Sequence, residues 1–242
     1  MTVLEGKRRL AKLITSVHTN KKKVKDLLNE KELARPPAHI VGITGSTASG
    51  KSTLIDKVID VLRKDNFTVI VLAIDPTDEE SGGAILGDTI RMRDHYIDEG
   101  VFLRSLGSRG ARASLTVRLS ELIRLVSRFS DFVIVETTGA AQADIALKKC
   151  VDTFITLPDT RGDAINLLKA GHHRRAHILV VNAREGMHDD ERYFALAKDF
   201  ARTVTSKDGW ELAVFRVNAG NGEGIEELVR AGIYKHKDFR RS

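Results

Sequence analysis

The sequence is poor in several residue types. It has one cysteine and four prolines, and aromatic residues make up 5%. A lone cysteine, Cys150, excludes an internal disulfide and suits a reducing cytoplasm. No apolar run reaches the length of a bilayer span, and the N-terminus lacks the apolar core of a secretory signal. The expectation is a cytoplasmic protein that engages no membrane. Scarce aromatics also argue against a nucleic-acid surface, which stacks bases on rings along a basic stripe. The net charge of +6 does not form such a stripe. Residues 1–40 hold ten Lys/Arg against four Asp/Glu, and the rest of the chain holds 29 of each sign. The basic excess therefore belongs to the N-terminal segment. It reads as a solvated helix face, so no nucleic-acid partner is expected.

What is present is enough for one large α/β domain: 242 residues, 42% hydrophobic and 30% charged. Two short helices are predicted before residue 37. Leu10, Leu13, Ile14 and Val17 share one face, and Val24, Leu27 and Leu28 form a second, shorter one. Arg35-Pro36-Pro37 closes this region, because a residue before proline avoids helix. Residues 1–37 thus read as a helical extension and 38–242 as the main domain.

Apolar strands then alternate with helical patterns. The predicted strands are 39–44, 68–74, 101–103, 132–135, 153–157, 177–181 and 212–217. The intervening helices are expected over 52–64, 115–129, 142–149, 189–202 and 224–236. Glycine-rich loops fill 77–89 and 105–113, and a loop-helix fills 160–171. Near-continuous apolar strands alternating with helices indicate a mostly parallel sheet covered on both faces. Any ligand belongs beyond the C-terminal strand ends.

One stretch says what that ligand is. Gly45-Ser46-Thr47-Ala48-Ser49-Gly50-Lys51-Ser52 reads G-x-x-x-x-G-K-S between a strand and a helix, the context a phosphate-binding P-loop requires. Its glycines let successive backbone N–H groups turn inward on phosphate, and the following helix adds its own free N–H groups and positive dipole end. Lys51 should reach the outer phosphates, Ser52 should ligate Mg²⁺, and Thr53 completes the phosphate-side set. The fold expected is a three-layer α/β/α P-loop nucleoside triphosphatase with a mostly parallel sheet and a short N-terminal helical prefix. The other strand ends also carry polar residues: Asp75, Glu136 with Gly139, Asn182 with Glu185, and Asn218-Ala219. All five ends fall on one sheet edge.

The P-loop, Asp75-Pro76, the string Gly82-Gly83-Ala84-Ile85-Leu86-Gly87-Asp88 with Arg91-Met92, and Glu136-Thr137-Thr138-Gly139 with Gln142 together resemble the MeaB/ArgK-type P-loop GTPases. The prefix Gly6-Lys7-Arg8-Arg9-Leu10-Ala11-Lys12-Leu13-Ile14 is similar to that family's first helix, so the resemblance covers nearly the whole chain. Members are G-protein chaperones of adenosylcobalamin-dependent acyl-CoA mutases such as methylmalonyl-CoA mutase. The resemblance implies Mg²⁺, bound GTP or GDP, and such a mutase as partner. It implies that Asp75 and Asp88 are first-switch carboxylates near the metal and Glu136 the second-switch acid. Gly139 would donate its N–H to the γ-phosphate. Asp163 and Lys169 match charged positions of a third mobile segment, and a surface ion pair explains them equally well.

The chain departs from the family at several positions. Asn182-Ala183-Arg184-Glu185 stands where members read N-K-x-D, and Asn218-Ala219 stands for their S-A. Glu185 can still accept the paired N1–H and 2-amino donors of guanine, and Ala183 forgoes the lysine that packs over the ring. Weaker affinity with retained guanine preference is expected. The chain stops at Ser242 without the family's C-terminal arm, which predicts a monomer or weak dimer. Two other functions stay open: an ATPase or kinase-like enzyme of altered base specificity, and a nucleotide-loaded adaptor with little turnover. His172, His173 and His177 lack metal-ligand spacing and read as surface histidines. Arg118, Arg124 and Arg128 read as solvated charges. Cys150 reads as a small core residue.

Overall fold

A computed structural model describes residues 3–19, 23–75, 93–107, 112–137, 141–159, 173–183, 190–204 and 209–242. Seven strands form one sheet in the order β3-β2-β4-β1-β5-β6-β7. They are β1 (His39–Gly45), β2 (Val69–Asp75), β3 (Val101–Gly107), β4 (Phe132–Thr137), β5 (Thr153–Leu157), β6 (Ile178–Asn182) and β7 (Ala213–Val217). Every strand pairing is parallel.

Among the described residues the helices are α1 (Val3–His18), α2 (Glu30–Ala34), α3 (Lys51–Lys64), α4 (Arg93–Tyr96), α5 (Arg112–Val126), α6 (Ala141–Lys148) and α7 (Asp190–Arg202). A final helical run joins α8 (Ile225–Glu227), a π-wound segment Leu228–Tyr234 and α9 (Lys235–Phe239). Among the described residues, no helix is long and apolar enough to cross a membrane.

Successive strand residues point to opposite faces, so each strand feeds two cores. Val133 and Val135 of β4 pack with Leu10, Ile14 and Val17 of α1 and with Leu122 and Val126 of α5. Phe132 and Ile134 of the same strand pack with Leu54, Ile55, Val58 and Leu62 of α3 and with Leu228 and Ile233 of the last helical run. Helices on both faces of a parallel sheet make the expected three layers. β1, the strand before the phosphate loop, lies between β4 and β5, with every residue from His39 to Gly45 buried.

Several elements differ from the sequence reading. β3 runs to Gly107 rather than ending at Leu103, because its ladder with β2 continues from Val69↔Val101 to Asp75↔Gly107. It is an edge strand, so the polar Arg104-Ser105 that ends the apolar run does not end the strand. The second prefix helix is a 3-10 turn at Val24–Asp26 followed by α2, which starts at a capping box: Asn29 Oδ1 accepts from Glu32 N and Glu32 Oε2 from Asn29 N. Arg128 is not simply solvated, since its Nη1 donates to the Leu33 and Arg35 carbonyls. The π segment has no mark in the sequence. The loops 77–89 and 160–171, with Asp163, Lys169 and His172, and Arg118's side chain lie outside the described residues.

The histidines need the largest correction. His173 and His177 are buried, at 3% and 5% exposure, and so are His39 and His236. His173 Nδ1 lies 3.1 Å from Thr156 Oγ1. His177 Nδ1 accepts from Phe154 N–H at 2.9 Å, and its ring stacks on His236 at 4.1 Å. Thr153 Oγ1 links His39 Nε2, at 2.7 Å, to His236 Nδ1, at 2.8 Å. These partners come from β1, β5 and α9, so only folding brings them together. His39, His177 and His236 sit at the N-terminal edge of the sheet, opposite the phosphate loop, whereas Thr156, the partner of His173, pairs with Thr44 just before that loop. Cys150 is half-buried against the core, and burial pushes its thiol up, as suits a packing residue.

Burial, reinforced by cations, keeps two of these rings neutral. His39 is lowered from 6.5 to about 3, with Lys237 as the main charged neighbour, and His177 to about 2, with Lys148. Below pH 6.5 the unfolded chain binds protons that the folded chain refuses, so stability must fall as pH falls. The window runs from 6.5 down to about 3 for His39 and about 2 for His177. Each group contributes up to about 1.4 kcal/mol per pH unit there. Urea unfolding at pH 7.5, 6.0 and 5.0 should show a falling midpoint, with a shallower fall in His177→Gln.

Candidate functional site

β1 delivers the chain to the phosphate loop at Gly45. A Cβ at Gly45 would stand 2.5 Å from the Leu157 carbonyl, so β5 leaves no room for a side chain there. Ala48 has φ 62° and Gly50 has φ 92°, and α3 starts at Lys51. Left-handed residues between right-handed ones turn consecutive amides toward one centre, the geometry of an anion nest. Gly50 meets two constraints: its positive φ, and the Asn182 side chain, whose Nδ2 would lie 2.2 Å from any Cβ. Ser46 Oγ and Ser49 Oγ are buried in the loop and make no hydrogen bond to any described residue. These backbone and hydroxyl donors form the kind of cradle that phosphate oxygens require.

Lys51 is buried at 6% exposure. Its Nζ donates to the Gly45 carbonyl at 2.9 Å and the Ser46 carbonyl at 2.8 Å. The ammonium thus lies across the loop's entry, where it can exchange carbonyl partners for phosphate oxygens. Ser52 Oγ donates to Glu136 Oε1 at 3.1 Å. Ser52 is 6% exposed and Glu136 7%. Two hard oxygen ligands so close together at a phosphate cradle suit Mg²⁺, which takes few protein carboxylates and completes its shell with phosphate and water.

Asn182, at the end of β6, is a buried brace. Its Nδ2 donates to the Ser49 carbonyl at 3.0 Å and its Oδ1 accepts from Ala219 N at 3.0 Å. One amide therefore ties the phosphate loop to the turn after β7. Ala183 N donates to the Val217 carbonyl at 2.7 Å, and Ala219 is buried at 2%. Asn218 folds into an Asx turn, its Oδ1 accepting from Gly220 N and Asn221 N.

The structure thus gathers Gly45, Ser46, Ser49, Gly50, Lys51, Ser52, Glu136, Asn182 and Ala219 at one sheet edge. Thr47 and Ala48 form the exposed tip of the loop, and Thr53 is half-buried in the first turn of α3. The backbone of Asp75 ends β2 beside β4, one step past the Ile74↔Thr137 pair, and its side chain lies outside the described residues. Asp88, Gly139 and Glu185 also lie outside them. Sequence reasoning passed over Thr44, Thr137 and Asp144, whose side chains meet beside the loop. A carboxylate inside a helix carries no local motif that would have found it.

Comparison with known proteins gives the family and the fold. The family described as methylmalonyl-CoA mutase-associated GTPase MeaB matches residues 10–242. A Pyrococcus horikoshii protein with a provisional GTPase name is 38% identical over 238 residues, which cover 96% of this chain and 74% of that one. The fused isobutyryl-CoA mutase of Cupriavidus metallidurans is 36% identical over 244 residues, covering 95% of this chain and 22% of the relative. The crystal structure of a LAO/AO transport system kinase shares the fold, with a TM-score of 0.72 at 24% identity, over 98% of this chain and 76% of that one. The chain is therefore a nucleoside triphosphatase of the GTPase type and belongs to the MeaB family of mutase-associated GTPases.

Proposed function

We propose that this GTPase works as a Mg²⁺-dependent switch that gates an adenosylcobalamin-dependent acyl-CoA mutase. The observation that carries the metal reading is the 3.1 Å contact between Ser52 Oγ and Glu136 Oε1 at the mouth of the phosphate loop. The family description and the name of the fused mutase support the partner: a segment resembling this chain makes up 22% of a protein named as an acyl-CoA mutase. A cytoplasmic location fits the single free thiol, Cys150.

In this reading the loop amides from Ser46 to Lys51 hold the phosphates, and Lys51 neutralises the outer ones. Ser52 and Glu136, joined by Asp75 and Asp88, hold the metal. Held by these residues, Mg²⁺ would supply positive charge against the negative charge that develops on the phosphates during hydrolysis. Gly139 donates its N–H to that group. Asn182 keeps the phosphate loop and the turn at Ala219 in register, and Glu185 accepts the two parallel donors on guanine.

Lys51→Ala should lower turnover by about 10²–10³-fold, the usual cost of removing one charge-stabilising donor. Circular dichroism should show the fold intact, and phosphate release at the wild-type rate would remove the loop from the mechanism. Calorimetry should find GDP bound more tightly than ADP by the wild type. In Glu185→Ala that preference should collapse, with GDP affinity falling roughly 10–100-fold through loss of hydrogen bonds to a charged acceptor. Equal affinities in the wild type, unchanged by the substitution, would make this an unspecific triphosphatase. Multiple-turnover GTP hydrolysis should rise when the cognate mutase is added. A mutase that binds without altering turnover would reduce the chain to an adaptor.

A further inference from the structure

Asp144 is the most deeply buried carboxylate among the described residues, at 1% exposure. It lies on α6, on the sheet face opposite α3. Its Oδ1 accepts from Thr44 Oγ1, at the end of β1, and from Thr137 Oγ1, at the end of β4, the latter at 3.1 Å. Both threonines are buried, at 0% and 1%. Oδ2 is buried too and makes no hydrogen bond to any described residue. The two threonines thus carry all of this carboxylate's hydrogen bonding in the described protein.

The place of this contact in the sheet gives it meaning. The β1–β4 ladder ends at Ile43↔Glu136. One residue further, Thr44 is still paired to β5 and Thr137 to β2, but they are not paired to each other. The two strands are free to splay at the point where one becomes the phosphate loop and the other presents Glu136. Asp144 bridges that gap from the opposite face. Burying a carboxylate costs free energy that two hydroxyl donors only partly offset. Leu147 and Phe154 lie in the core on the same face, so an apolar residue could serve simple packing. What the carboxylate adds is a directional tie between two strand ends.

We propose that Asp144 is a positioning residue for the divalent-cation site: by holding Thr44 and Thr137 on one oxygen, it sets the separation between the phosphate loop with Ser52 and the acid Glu136. This rests on the metal reading given above. The clamp acts through the strand ends and touches neither nucleotide nor metal.

The test is the affinity for a non-hydrolysable GTP analogue, measured by calorimetry in Mg²⁺ and again in EDTA. In Asp144→Ala the tightening conferred by Mg²⁺ should fall by about tenfold, the worth of a hydrogen bond to a charged group, with affinity in EDTA nearly unchanged. Asp144→Asn keeps an oxygen acceptor for both threonines and should recover most of the Mg²⁺ effect. Should Asp144→Ala fail to fold, Thr137→Val removes one arm of the clamp at constant shape and should lower the Mg²⁺ effect in the same direction. Equal losses in Mg²⁺ and EDTA would make Asp144 a fold-stabilising residue only. An unchanged Mg²⁺ effect, or an asparagine variant no better than alanine, would likewise overturn the proposal. Wild-type affinity indifferent to Mg²⁺ would instead overturn the metal reading on which it rests, and that arm involves no Asp144 variant.

Discussion

The site depends on β1 being hydrogen-bonded on both sides. Its ladder with β4 runs to Ile43↔Glu136 and its ladder with β5 to Gly45↔Leu157. A strand held by two neighbours cannot slide or twist independently, so the residue that leaves it, Ser46, leaves in a fixed place and direction. The parallel arrangement then sets every other strand end on the same edge. Because the loop's function resides in backbone N–H groups, the rigidity of the strand feeding it translates into the position of its donors.

Around that anchor the structure uses polar side chains as ties where the sheet's own hydrogen bonds stop. Asn182 joins the Ser49 carbonyl to the Ala219 amide across the β6–β7 side. Lys51 closes the loop on itself through the Gly45 and Ser46 carbonyls. Ser52 and Glu136 face each other across the β1–β4 side. All four residues are buried, so each tie is shielded from competing water and each donor left without its partner would be costly. A nucleotide bound as proposed would therefore enter a region whose polar groups are already aligned, its phosphates replacing acceptors already in place.

The opposite edge of the sheet is built on another logic. There, His39, His177 and His236 are held by Thr153, the Phe154 amide and ring stacking, with Trp210 edge-on to His236 at 4.6 Å. The cluster joins the starts of β1 and β5 and the approach to β6 to α9, and so fastens the last helical run to the sheet. Neutral imidazoles can do this because each ring offers one donor and one acceptor. The dependence on neutrality makes this edge the acid-sensitive end of the molecule, remote from the phosphate loop.

Local sequence determined much of the protein. The alternation of apolar strands with helical patterns, the P-loop between Gly45 and Ser52, and the family were all legible, because each rests on contacts between residues near one another in the chain or on a contiguous motif. The stop at Arg35-Pro36 belongs to the same class, and the capping box at Asn29 and Glu32, though equally local, was recognised only in the structure. The extension of β3 through Arg104-Ser105 was decided by its ladder with β2, and the burial of His173 and His177 by partners 17 and 23 residues away. The meeting of Thr44, Thr137 and Asp144, and the Asn182 brace across 133 and 37 residues, came only from the sheet order. Periodicity reports which face of an element is apolar. It does not report which polar atom on another strand will stand opposite, because that depends on strand order and register, which tertiary packing alone sets.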